Sequence, residues 1–227
     1  MKRQSKVSLR WSSALAYAIG IITTDGNLSP DGRHINITSK DLEIVQILKK
    51  HLRLTNKIGK KSRGGSRRKL YFVLQFGDIN FYEFLLSIGL MPAKSKRLTK
   101  LRIPRAFFPD FLRGCIDGDG NISVSKHPES QFPQLRVRLA SASPAFLIWI
   151  LSKIKVEFTV KGGYMYHQPE KSVSTLGFGT ADSRKILTKI YYRKSLPALK
   201  RKRVFAERWA SSRIGTGARL RTVWSNP

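Results

Sequence analysis

Leu112-Arg113-Gly114-Cys115-Ile116-Asp117-Gly118-Asp119-Gly120 decides how this chain is read, because a version of it stands earlier as Ala18-Ile19-Gly20-Ile21-Ile22-Thr23-Thr24-Asp25-Gly26. Each has a glycine in third place, Gly20 or Gly114, and each ends on Asp-Gly. The residues that follow match as well, Asn27-Leu28-Ser29 against Asn121-Ile122-Ser123, at an offset of 94 from Asp25 to Asp119. Further on, Leu74-Gln75-Phe76-Gly77 pairs with Leu176-Gly177-Phe178-Gly179 at an offset of 102. The chain therefore reads as two copies of one unit. The second copy carries a longer loop, and His127 to Pro133 is where it falls.

Each copy gives the same order of elements. A helix over Ser13 to Thr24, or Arg105 to Gly118, ends on its Asp-Gly pair, with Gly26 and Gly120 expected to supply a left-handed stop. A hairpin follows, turning in copy one at Ser29-Pro30-Asp31-Gly32. Its second strand alternates: Ile35 and Ile37 face in, His34, Asn36 and Thr38 face out. In copy two Leu135, Val137 and Leu139 face in, Gln134, Arg136 and Arg138 out. A helix comes next (Lys40 to Leu52; Ser143 to Lys155), then a second strand pair. In copy one that pair has Leu70, Phe72, Leu74 and Phe76 on its apolar face and Lys69, Tyr71, Val73 and Gln75 on the other. A last helix closes each copy (Asn80 to Leu90; Asp182 to Tyr192). The reading is an α+β fold of two αββαββα repeats, 1–98 and 99–210, with a basic tail at 211–227.

Charge points to the partner. The 227 residues include 43 Lys plus Arg against 14 Asp plus Glu, a formal net charge of +29. A compact fold that basic needs a polyanion, and nucleic acid is the first candidate. With 41% apolar residues the chain is globular and not a basic tail. One cysteine, Cys115, excludes an intrachain disulfide and fits a reducing compartment. No apolar run approaches the roughly 20 residues of a membrane helix. Met1-Lys2-Arg3 followed by Ala14 to Ile22 imitates a signal peptide, but the stretch runs into Thr23-Thr24-Asp25-Gly26 and recurs deep in the chain. The expected location is cytoplasm or organellar matrix, on DNA. The four histidines show no zinc spacing, and no phosphate-binding glycine loop is present.

The two nine-residue segments resemble the LAGLIDADG motif of homing endonucleases, and the likeness runs from about Ser12 to about Arg208. Copy two matches well; copy one departs from the pattern with Thr23 at the first acidic position. The resemblance implies a monomer that cuts both strands of a long duplex site and leaves short 3′ overhangs. It also implies intron or intein mobility; no intein splice-junction residues surround the core, which favours an intron-encoded or free-standing protein. In this family the last Asp of the motif binds the metal, which assigns Asp25 and Asp119. Relatives also carry a lysine near the scissile phosphates. Lys94 in Pro92-Ala93-Lys94-Ser95 suits that place in copy one, and Lys202, or else Lys200, in copy two.

The residues argue the same chemistry. An Asp at a helix C-terminus sits at the negative end of the dipole, and a second beside it is worse. Mg²⁺, or another divalent cation such as Mn²⁺, resolves that conflict, with the carbonyls of Thr24 and Gly118 as further oxygen ligands. Asp117, two residues earlier, is expected to cap or position instead. An Asp-Gly pair alone is an ordinary turn; two at matching places in a repeat are not.

The outward strand residues supply recognition, since Arg and Lys can read guanine and Asn and Gln adenine. In copy one they are Asn27, Ser29, Arg33, His34, Asn36, Thr38, Arg67, Lys69, Tyr71 and Gln75. In copy two they are Asn121, Ser123, the basic end of Ser125-Lys126, Gln134, Arg136, Arg138, Lys161, Lys171 and Thr175. The two faces differ, so the site should be pseudo-palindromic at best. Two other readings fit the fold: an RNA-binding maturase that takes intron RNA, and a non-cutting DNA-binding regulator.

Overall fold

The computed structural model describes residues 6–63, 66–126, 132–168, 170 and 172–210. Residues 127–131 of the loop expected at His127 to Pro133, Lys171 and the tail from 211 lie outside the described residues. So do the side chains of Arg67 and Lys69, although their backbone belongs to a strand.

Both motifs form helices, α1 (Ser13–Asp25) and α4 (Phe108–Asp119). The Ser12 hydroxyl caps α1 by accepting from Leu15 N at 3.1 Å. Every residue of α1 from Leu15 to Thr23 is buried, so this helix has no solvent face. What it packs on is α4, along most of its length. Glycine makes the crossing that close. A Cβ on Gly20 would lie 2.2 Å from the Phe111 carbonyl oxygen, and one on Gly114 the same distance from that of Tyr17. The Cys115 thiol points across the same gap, 3.7 Å from the Gly20 carbonyl.

The glycines after the two aspartates act differently from the expectation. Gly26 (φ −91°) and Gly120 (φ −84°) are extended, not left-handed. Space is the reason for glycine here. A Cβ on Gly26 would fall 2.5 Å from the Ile22 carbonyl oxygen, and one on Gly120 2.5 Å from Ile116 Cα. The chain can thus turn from helix straight into strand, leaving each aspartate at the junction.

Each helix feeds a four-stranded antiparallel sheet. The first contains β1 (Gly26–Leu28), β2 (His34–Ser39), β3 (Ile58–Arg63) and β4 (Ser66–Gly77), in the order β1-β2-β4-β3. The second contains β5 (Gly120–Ser125), β6 (Gln134–Ser141), β7 (Tyr164–Gln168) and β8 (Val173–Phe178), in the equivalent order β5-β6-β8-β7. Helices α2 (Leu42–His51), α3 (Ile79–Ser87), α5 (Pro144–Phe158) and α6 (Thr180–Ile190) fall at the expected places. The αββαββα repeat is therefore observed twice.

The inner faces read as expected. Ile35, Ile37, Leu74 and Phe76 are buried, as are Leu135, Val137 and Leu139. Leu70 is the exception at 49% exposed; it pairs with Ser62 toward the β3–β4 hairpin end. Part of the extra length in copy two becomes strand, since β5 has six residues where β1 has three.

One helix has no counterpart in the sequence reading. Lys200–Ala210 forms α7, which follows α6 through a short connection. Its start reaches across to copy one: Lys200 N donates to Glu43 Oε1 at 3.0 Å, and Arg201 pairs with Asp41 at 2.8 Å.

Candidate active site

Asp25 and Asp119 close α1 and α4. The close crossing continues to this end: a Cβ on Gly118 would lie 2.1 Å from Thr24 Oγ1 and 3.5 Å from Asp25 Oδ2. Gly118 therefore keeps the two carboxyl-bearing ends together. Among the described residues neither carboxylate takes part in a hydrogen bond or an ion pair. Burial, followed by the charge of Asp119, pushes the Asp25 carboxyl up to about 7. Asp119 opens to solvent, yet it too is raised by the protein packed around it, against the pull of Lys94 and Lys202.

The two lysines flank this pair and are nearly buried, each 7% exposed. Lys94 opens a 3₁₀ turn entered through Ala93, whose φ of 50° is left-handed. Its Nζ donates to the Gly26 carbonyl at 2.6 Å. Lys202, on α7, donates to the carbonyls of Ile116 (2.6 Å), Asp117 (2.9 Å) and Gly120 (2.7 Å). The ammonium groups thus cap the negative ends of the two motif helices. Burial lowers both, Lys202 to about 8. Each ammonium bonds carbonyls at the end of its own copy's motif helix, while its charge also bears on the aspartate of the other copy. Lys94 is the stronger lysine influence on Asp119, and Lys202 the stronger on Asp25. The reach of α7 onto Asp41 and Glu43 of copy one explains how Lys202 comes near Asp25. Lys200, the alternative lysine, spends its backbone N–H on Glu43 and its side chain is exposed.

The donor set suits a hard divalent cation. It offers oxygen only, from two unpartnered carboxylates. The carbonyls of Thr24 and Gly118 belong to last helical turns, which leave acceptors free. Among the described residues no group of three or more His, Cys, Asp or Glu side chains forms. Two carboxylates cannot fill a coordination shell, so water and substrate oxygens would complete it.

Asp117 is fully buried and stands apart from this pair. Tyr17 and Tyr191 hydroxyls donate to it at 2.9 and 2.6 Å, and Leu199 N at 2.7 Å.

Strand register sorts the residues expected to read DNA. Asn27 lies opposite Asn36, which lies opposite Gln75, and Thr38 lies opposite Val73, so these share the outer face of the first sheet with Tyr71. His34 is on the same face but is engaged with Asp31, and Arg33 Nη2 approaches its ring at 3.1 Å. Ser29 ends the hairpin, its carbonyl accepting from the Tyr82 hydroxyl at 2.6 Å. In the second sheet Asn121 opposes Arg138, Ser123 opposes Arg136, and Ser125 opposes Gln134; Thr175 continues that face. Lys126 just follows β5 and is exposed. Lys161 sits in the connection before β7, off the sheet.

Some outer-face residues escaped the sequence reading. Tyr164 and Tyr166 on β7 oppose Gly177 and Thr175, and Tyr166 is 57% exposed. Gly177 is kept small by the Tyr164 ring lying over it, 2.4 Å from where a Cβ would be. The alternation Tyr164-Met165-Tyr166 was the available signal. Lys61 of β3, opposite Tyr71, likewise belongs to the first outer face.

No protein-family profile matches this chain, and no curated protein matches it in sequence. Two pseudo-equivalent repeats, each a motif helix feeding a four-stranded antiparallel sheet, define a LAGLIDADG homing-endonuclease-like fold. Among solved structures the chain is similar to full-length DUF199/WhiA from Thermotoga maritima, at 16% identity and a TM-score of 0.57, over 93% of this chain. It spans 64% of the length of that protein. It is also similar to variants of the homing endonuclease I-DmoI (16% identity, TM-score 0.54, 82% of this chain and 94% of that one). A third likeness is to the LAGLIDADG homing endonuclease I-GzeII in complex with its DNA target (12%, TM-score 0.56, 86% and 88%). At these identities the likeness is one of fold.

Proposed function

We propose that the chain is a metal-dependent endonuclease that cuts both strands of a long, pseudo-palindromic duplex DNA site. The observation that carries this reading is the pair Asp25 and Asp119: two carboxylates brought together at the ends of crossing helices and, among the described residues, left without a hydrogen-bond or ion-pair partner. A merely structural pair would be expected to meet the nearby lysines. Here Lys94 and Lys202 bond backbone carbonyls instead.

The repeats at 1–98 and 99–210 are its two halves. Their outer sheet faces form a saddle over the major groove, with Asn27, Asn36, Gln75, Arg136 and Arg138 reading base edges. The +29 charge supplies the phosphate affinity. Asp25 and Asp119, with the Thr24 and Gly118 carbonyls, would hold Mg²⁺ or Mn²⁺. When bound, such an ion supplies an activated water and stabilises charge on the departing 3′ oxygen. The carboxyl of Asp25 gives up its proton to take that role, and Lys94 and Lys202 set positive charge beside the phosphate. I-DmoI structures that include Mg or Mn with target DNA support this assignment. Intron or intein mobility is the biological setting that this reading implies.

The test is selection from a randomised duplex pool, followed by Mg²⁺ and mapping of the ends. The expected product is a staggered break with short 3′ overhangs within a site of about two helical turns. Selection of a site that no divalent metal allows to be cut would favour a regulator. Failure to select any duplex, with retention of structured intron RNA, would favour a maturase.

A further inference from the structure

Among the positions at which the two motif helices differ, two lie one turn apart and change a side chain's charge. Copy one has Ile19 and Thr23 where copy two has Arg113 and Asp117. The Thr23 hydroxyl turns back on its own helix, donating to the Ile19 carbonyl at 2.7 Å. Arg113 and Asp117 instead reach outward into the segment between α6 and α7. Arg113 is fully buried and donates to the carbonyls of Ile190 (2.7 Å) and Pro197 (2.8 Å), with Asp110 neutralising it at 2.7 Å. Asp117 accepts from Leu199 N, the residue from which α7 starts; the Leu199 carbonyl then receives Lys202 N at 3.1 Å and Arg203 N at 3.0 Å. Lys202 is the next turn of that helix, and its Nζ returns to the carbonyls of Ile116, Asp117 and Gly120.

We infer that Asp117 is a positioning residue: by fixing Leu199 N between the hydroxyls of Tyr17 and Tyr191, it seats α7 and so delivers Lys202 to the end of α4. The loop of contacts is closed, from Asp117 through Leu199 and α7 to Lys202 and back to the Asp117 carbonyl. Among the described residues Lys94 reaches Gly26 with one carbonyl contact and no such clamp behind it. The two halves of the site are therefore built unequally. Replacing Asp117 leaves three buried donors without an acceptor, and the nearest relief is for α7 to lift. The catalytic side of this inference rests on the nuclease reading; the structural side does not.

The full chain is pulsed with acetic anhydride below its melting temperature, and acetylation of each lysine is read by peptide mass spectrometry. In the wild type Lys94 and Lys202 react slowly beside exposed Lys126. In Asp117→Thr, which installs the residue copy one has, Lys202 is expected to react roughly tenfold faster while Lys94 stays protected. Tyr191→Phe, which removes one donor and keeps the packing, should move Lys202 in the same direction by less, and serves if Asp117→Thr does not fold. Equal gains at both lysines, or none at Lys202, would overturn the inference. On a selected duplex, Asp117→Thr should lower kcat about tenfold without raising KM, and should add no loss in a Lys202→Met background. Additive losses would overturn the positioning role while the nuclease stands. A wild type that cuts nothing removes the nuclease reading, and the acetylation result still decides whether Asp117 seats Lys202.

Discussion

At the scale of single residues, the account turns on protons held where charge is unwelcome. Burial and Asp119 together raise the Asp25 carboxyl from 3.8 to about 7, so the folded chain keeps a proton there that the unfolded chain has lost. Between about pH 4 and 7 this carboxyl binds more proton in the folded state than in the unfolded one, so its contribution to stability falls as pH rises. Asp117 and Asp119, also raised, act with the same sign. In chelator, the melting temperature of Asp25→Asn should accordingly pull ahead of wild type as pH climbs through that window. Thermal melts at half-unit steps check this; parallel curves would show that Asp25 titrates as an ordinary carboxyl. Divalent metal should close the gap at pH 8 by stabilising the wild type selectively.

At the scale of elements, the crossing of α1 and α4 is the fold's tightest demand. Gly114→Ala would set a methyl 2.2 Å from the Tyr17 carbonyl oxygen, which no rotamer relieves. Because backbone must move, the cost should reach about 3 kcal/mol or more, measurable by urea unfolding. A loss under about 0.5 kcal/mol, typical of an unconstrained surface site, would mean the helices cross elsewhere. This contact was legible in the sequence because a glycine stands third in both copies. The strand faces were legible too, from the alternation of Ile35 and Ile37 with Asn36 and Thr38. Three things were not. Gly26 and Gly120 look like helix stops in sequence, but the steric limit is set by Ile22 and Ile116 folding back over them. Helix α7 is mostly charged, so its apolar spacing is faint, and what fixes it are distant partners: Asp41, Glu43 and the α4 carbonyls. The bearing of Lys202 on Asp25 follows from that helix and could not be seen without it.

At the scale of the whole molecule, the arrangement concentrates a few negative groups at one seam of a protein carrying +29. Under the proposed function, a duplex drawn to either sheet would be presented to Asp25 and Asp119, where the two motif helices end together. Each repeat contributes one carboxylate, so the central claim is that a double-strand break needs both. The most direct test labels the two strands of a selected duplex with different dyes and follows each in Mg²⁺, for wild type, Asp25→Asn and Asp119→Asn. The account predicts that wild type cuts both strands. Each variant should bind the duplex as tightly yet fail to complete the break, losing cleavage of at least one strand by on the order of a thousandfold. If either variant cuts both strands at the wild-type rate, the paired-aspartate site is not the catalytic centre.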